Sequence, residues 1–137
     1  MPRCFRWAWV ALGLLASGPA AAEAPDWARL RDLDTVEVLT SDEDGASRET
    51  TVWLAVVDGA GYVRTGNTRW GDNVVRSAEL ALRAAGSSQP MRVEFVEDEA
   101  LRQRVSDAFR QKYGLSDRAL SWIRGSRPKI MHLYPRQ

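Results

Sequence analysis

The stretch Arg48-Glu49-Thr50-Thr51-Val52-Trp53-Leu54-Ala55-Val56-Val57-Asp58-Gly59-Ala60-Gly61-Tyr62-Val63-Arg64-Thr65 decides the fold class. Residues 48–57 are rich in β-branched and aromatic side chains, which suit a pleated, half-buried surface. Residues 62–65 resume the same character. Between them Asp58-Gly59-Ala60-Gly61 is a short glycine-containing link, the chemistry that reverses one strand onto the next. The stretch reads as a β-hairpin, and an antiparallel sheet can be built outward from it.

Upstream, residues 35–40 alternate polar and apolar and read as a strand, followed by the polar turn Ser41-Asp42-Glu43-Asp44-Gly45. Before that, Trp27, Leu30 and Leu33 recur every third residue, giving one or two helical turns capped by Asp26. Downstream, Gly66 to Asn73 reads as a loop. Residues 73–85 fit helical and strand periods equally well. The turn chemistry of Gly86-Ser87-Ser88-Gln89-Pro90, leading into the strand at residues 91–96, divides them into a short helix at 73–77 and a strand at 79–84. Asp98 to Tyr113 is the strong helix, with Leu101, Val105, Ala108, Phe109 and Tyr113 on one stripe, Asp98 as its cap and Gly114 as its stop. Ala119 to Arg124 reads as another turn, and residues 129–134 as a last strand between Pro128 and Pro135. Six short strands around one core and a single substantial helix predict a mainly β domain. Its expected form is a six-stranded antiparallel barrel with one amphipathic helix packed on it.

The chain has 137 residues, 45% hydrophobic and 27% charged, which excludes a disordered chain, a collagen and a multi-span membrane protein. Residues 1–22 read as a secretory signal. Arg3 and Arg6 precede an apolar run at residues 8–16, and Ala20-Ala21-Ala22 supplies the small residues a peptidase needs. The run is too short to span a bilayer that takes about 20 residues, so no stable membrane anchor is expected. Cleavage after Ala22 predicts a periplasmic or secreted protein, with residues 23–137 as one domain. That portion carries 17 basic and 18 acidic residues, once Arg3 and Arg6 are removed from the 19 basic and 18 acidic of the whole chain. Without a basic excess it is not a nucleic-acid binder. Cys4 is the only cysteine and departs with the signal, so no disulfide, thiol nucleophile or cysteine-based metal site remains.

The densest polar constellation is Tyr62-Val63-Arg64-Thr65-Gly66-Asn67-Thr68-Arg69-Trp70-Gly71-Asp72-Asn73. Guanidinium forks match phosphate or carboxylate oxygens, Trp70 offers a flat apolar face, and a helix starting near Asn73 would present free N–H groups to an anion. The blander reading is a solvated hairpin end with Trp70 plugging the core. Lys112-Tyr113 reads as a helix C-terminal cap. His132 is the only histidine, with no Gly-x-Ser-x-Gly elbow to serve and no cysteines to share a zinc ion, so a structural strand histidine is expected. Asp42-Glu43-Asp44 lacks a calcium-loop pattern and reads as a solvated turn.

Thr51-Val52-Trp53-Leu54, Asp58-Gly59, Tyr62-Val63-Arg64-Thr65 and Arg69-Trp70-Gly71-Asp72-Asn73 resemble, in order and spacing, the DUF2255 family of uncharacterised bacterial proteins. Lys112-Tyr113-Gly114 and Leu133-Tyr134-Pro135-Arg136 extend the resemblance across residues 33–136. That family is similar to the split β-barrel proteins that bind FMN or the deazaflavin F420, among them pyridoxamine-phosphate oxidases and deazaflavin-dependent nitroreductases. The resemblance implies a Greek-key split barrel and a homodimer with the flavin at the subunit interface. It also implies that Arg64, Thr65, Arg69, Trp70 and Asn73 line the cofactor groove. An oxidoreductase is the expectation that follows. A noncatalytic periplasmic module binding a small anion or a protein partner is the alternative. Gly71 stands where the family pattern has an aromatic residue.

Overall fold

The computed structural model describes residues 24–114 and 127–136. The expected signal segment and the expected turn at 119–124 lie outside them. The elements run α1 (Trp27–Leu30), β1 (Val36–Ser41), β2 (Ser47–Val52), β3 (Ala55–Val57), β4 (Ala60–Thr65), α2 (Arg69–Ser77), β5 (Glu79–Ala84), β6 (Ser87–Phe95), α3 (Glu99–Tyr113) and β7 (Lys129–Pro135). All strands belong to one antiparallel sheet, in the order β2-β1-β5-β6-β7-β4-β3.

The sheet has seven strands where the sequence predicts six. The difference lies in the stretch that decided the fold. Residues 48–57 form two strands with different partners: Thr51 and Val52 pair with β1, while Ala55 to Val57 pair with β4. Composition alone cannot show a partner exchange at Trp53-Leu54, because both halves have the same β character. Its structural consequence is large. β2 and β3 are opposite edges of the sheet, yet the step from Val52 to Ala55 can span at most about 11 Å. The end of one edge strand and the start of the other are therefore held together at one corner, and the sheet curls into a half-barrel. The successive antiparallel pairings leave β2 and β3 pointing the same way, so one run of chain serves both edges.

The curled sheet encloses its apolar face. Val38, Val63, Met91 and Met131 are fully buried inside it. Trp27 and Leu30 of α1, and Trp70 and Val74 of α2, join the same cluster. Helix α3 packs on the outer face, where Val105 and Phe109 meet Ala55, Tyr62 and Ile130. Its stripe is the one predicted, and Asp98 caps it by accepting from the Leu101 N–H at 2.8 Å. Asp26 caps α1 in the same way, accepting from the Arg29 N–H at 3.2 Å.

Several boundaries move. Strand β4 begins at Ala60, inside the expected link at residues 58–61. Helix α2 begins at Arg69, inside the expected loop, because the Thr68 hydroxyl accepts from the Gly71 N–H at 3.2 Å and starts the helix early. Strand β6 begins at Ser87, inside the expected turn, because Ala85-Gly86 alone reverses the chain. Both residues take positive φ, 50° and 78°, as do Asp58 (50°) and Gly59 (73°) in the β3–β4 hairpin. These two-residue loops impose the same backbone on different residues, and alanine tolerates it less well than aspartate or asparagine. Ala85→Asn should raise stability by about 0.5–1 kcal/mol. The readout is a higher urea midpoint at unchanged slope; a lower midpoint would contradict the turn assignment.

Candidate functional site

Helix α2 leaves the end of β4 and lies against the end of β1, so the constellation at residues 62–73 spans a strand end, a cap and a helix. Thr65 is buried, and its hydroxyl shares a 2.6 Å hydrogen bond with that of Thr68. Gly71 packs onto this pair. A Cβ at Gly71 would lie 2.7 Å from Thr65 Cγ2 and 3.0 Å from Thr68 Oγ1. Gly71 thus marks the close packing of α2 on the end of β4.

The five residues implied as a cofactor groove divide among different surroundings. Trp70 is 5% exposed and belongs to the barrel core, as the blander reading had it. Asn73 is 2% exposed. Its Nδ2 donates to Thr40 Oγ1 at 3.0 Å and to Asp42 Oδ1 at 2.8 Å, and its Oδ1 accepts from Arg76 at 2.9 Å. Arg69 is exposed and lines a cleft of about 420 Å³ with Asp42, Glu43, Asp44, Asp72, Asn73 and Arg76. Arg64 instead faces α3, half-buried, with its Cζ 4.4 Å from the Phe109 ring centroid. Burial pushes its pKa down, and the nearby charge of Arg110 adds to the effect.

The Asp42 turn is more than a solvated reversal. Arg48 grips the carboxylate through two contacts, Nε at 2.8 Å and an Nη at 2.9 Å. Hydrogen bonds from Arg48 first, and then from Asn73, hold the Asp42 pKa at about 2. The cleft therefore presents four carboxylates against two guanidiniums, a poor match for phosphate. Nothing in the sequence marked Asp42 and Asn73 as partners, since they are 31 residues apart.

Lys112 and Tyr113 do not cap their own helix. Lys112 Nζ donates to the Leu54 carbonyl at 2.9 Å. Tyr113 Oη accepts from the Leu54 N–H at 3.1 Å and donates to the Asp34 carbonyl at 2.8 Å. The Tyr113 ring stacks on Trp53, with centroids 4.1 Å apart. Burial lowers the Lys112 pKa and raises that of Tyr113. Their shared target is the short link between the end of β2 and the start of β3.

His132 sits between aromatic rings, 3.9 Å from Tyr134 and 4.7 Å from Tyr62. Burial pushes its pKa down, which keeps the imidazole neutral at pH 7. Among the described residues no three His, Cys, Asp or Glu side chains gather as a metal site. Among them, too, no helix is long and apolar enough to cross a membrane.

The fold is similar to that of several solved proteins. HutZ, the heme storage protein from Vibrio cholerae, matches at TM-score 0.64 and 14% identity, over 82% of this chain and 89% of that one. An F420-H2-dependent reductase matches at 0.57 and 12%, over 73% and 93%. A domain-swapped dimer matches at 0.61 and 13%, over 74% and 81%. At these identities the likeness concerns the fold. No curated protein matches the sequence. The model of uncharacterised proteins conserved in bacteria, DUF2255, matches residues 26–130, and the chain belongs to that family.

Proposed function

We propose that the protein is exported, forms a homodimer and binds FMN or F420, with the cofactor phosphate drawn to Arg64. Residues 1–22 would be removed after Ala22, leaving a periplasmic or secreted domain without a membrane anchor. The observation that carries the cofactor assignment is the setting of Arg64. Its guanidinium is half-buried on the Phe109 face, and the nearby Arg110 charge disfavours its own. An anion beside Arg64 would accept charge-assisted hydrogen bonds from its guanidinium and offset the cost of its burial. The fold shared with an F420-H2-dependent reductase supports the same class of ligand, and the fold shared with a domain-swapped dimer supports self-association.

The other implied residues take different parts. Arg69 faces four carboxylates, which oppose a phosphate there, so it is not assigned the anion. Trp70 and Asn73 act from behind the surface: one plugs the barrel and the other fixes α2 to the Asp42 turn. Thr65 joins the end of β4 to the α2 cap. The redox chemistry would belong to the cofactor, and the protein would bind and orient it.

The test is a visible absorption spectrum of the purified chain after loading with FMN, F420 or heme and desalting. The expected result is about one FMN or F420 retained per chain, as a resident cofactor requires. Arg64→Ala should weaken retention at least about tenfold, while Arg69→Ala stays within about twofold. Retention of heme alone would overturn the flavin reading. A folded dimer that retains none of the three would favour a noncatalytic module for small anions or a protein partner.

A further inference from the structure

We propose that Trp53-Leu54 is a hinge through which the unit formed by α1, β1 and β2 exchanges between two copies of this chain, and that Lys112 and Tyr113 form the latch that keeps it closed. The inference is independent of any cofactor. It begins with the strand that serves both sheet edges. β2 and β3 point the same way and are separated by two residues. Straightening the joint would merge them into one long strand without reversing the chain, and would carry β1 and β2 away from the barrel that holds β3.

The attachments of the unit suit such an exchange. Among the described residues it joins the remainder covalently only at residues 53–54. Its ladder to the rest of the sheet is the β1–β5 pairing of three residue pairs, against six for β1–β2 and six for β5–β6. The hairpin is therefore held to itself by a longer ladder than holds it to the barrel. Its other side-chain bonds to the remainder include those from Asn73 of α2 to Thr40 and Asp42, from Arg76 of α2 to the Ser41 carbonyl, from Arg83 of β5 to Glu37 and Glu49, and from Tyr113 of α3 to the Asp34 carbonyl. A second copy can supply every one of them in the same geometry, so exchange loses no contact outside the hinge.

The hinge itself decides the balance. In the closed chain Leu54 is 0% exposed, and the strand break deprives it of ladder partners. Its N–H and C=O are satisfied instead by Tyr113 Oη and Lys112 Nζ. Removing those two groups leaves Leu54 with buried, unpaired polar atoms in the closed form. In an extended strand the same atoms can reach a neighbouring chain or water. The latch thus stabilises one state more than the other, which is the condition for controlling a two-state equilibrium.

The test uses the cross-strand pair Glu37 and Arg83, which face each other on β1 and β5. In a full-length Cys4→Ser background, one chain carries Glu37→Cys and another carries Arg83→Cys. The two are unfolded together, refolded at high concentration and oxidised. A single chain with both substitutions must form the bridge between positions 37 and 83, within the chain when closed or between copies when exchanged, which shows that the pair can bridge. Exchange predicts a disulfide joining the two different chains. Adding Lys112→Met and Tyr113→Phe should raise its yield about tenfold. Should the latch variant not refold, the mixture with the native latch still decides the matter at raised concentration. A monomer, or a dimer with no such interchain disulfide, would overturn the proposal.

Discussion

Gly61→Val should abolish the folded state, and Gly61→Ala should cost about 3 kcal/mol, lowering Tm by roughly 10 °C. Gly61 lies on β4, where the Trp27 ring is pressed against the backbone. A Cβ there would sit 2.3 Å from Trp27 Cζ3, 2.4 Å from Cη2 and 2.7 Å from Cε3. Three ring atoms inside van der Waals contact cannot be cleared by turning a flexible tip. The ring is 7% exposed and packed in the barrel core, so it has nowhere to retreat without lifting α1. A glycine–indole contact of this kind has a second test. Trp27→Leu alone leaves a cavity and should cost about 2–4 kcal/mol. Combined with Gly61→Ala, the smaller side chain admits the new methyl, so the double variant should be at least about 1 kcal/mol more stable than the summed losses. Strict additivity would show that the two side chains do not share that space.

Much of this architecture was legible because its local signals agree. The glycine-containing link at residues 58–61 announced a hairpin, and the spacing from Leu101 to Tyr113 announced a helix with one buried face; both appear, the link shortened to Asp58-Gly59. The strand at 79–84 was also correct, although its own pattern was ambiguous, because the following turn chemistry required a partner. What escaped is non-local. The exchange of partners at Trp53-Leu54 depends on which neighbours flank the strand, and hydrophobic period carries no such information. The early start of α2 depends on Thr68 taking the cap position, which competes with other polar residues of the same loop.

The candidate site shows the same division. Its residue types were visible as a dense run of arginines, hydroxyls and amides, but their directions were not. Arg64, on β4, turns to α3, whereas Arg69, on the first turn of α2, turns to the Asp42 cleft. Five positions separate the two in sequence, yet a strand end and a helix start aim them differently. Lys112 and Tyr113 carried a cap-like pattern at a helix end, and their real partner is a strand joint 58 and 59 residues away.

Asn73→Ala should cost about 2–3 kcal/mol, because it removes an amide that satisfies three side chains at once in a buried position. Thr40 loses its donor, Asp42 loses one of the two hydrogen-bond donors that lower its pKa, and Arg76 loses an acceptor. The pH dependence separates this network from simple packing. Asp42 has a folded pKa of about 2 against an ordinary value of 3.8. A depressed carboxylate contributes stability that is complete above the ordinary value and is lost as the pH falls toward the folded one. The native chain should therefore weaken between about pH 4 and pH 2. Asn73→Asp reverses the sign. It keeps the size of the side chain but sets a second carboxylate where Nδ2 now donates, 2.8 Å from Asp42 Oδ1. Two carboxylates in that position cannot both remain ionised without penalty, so one takes up a proton at a raised pKa. The variant should be severely weakened at pH 7 and recover as the pH is lowered toward 5, where the native chain shows no gain. Urea unfolding at the two pH values measures the difference. A variant that tracks the native profile would show that Asn73 fills space at the end of the barrel without holding the charge of Asp42.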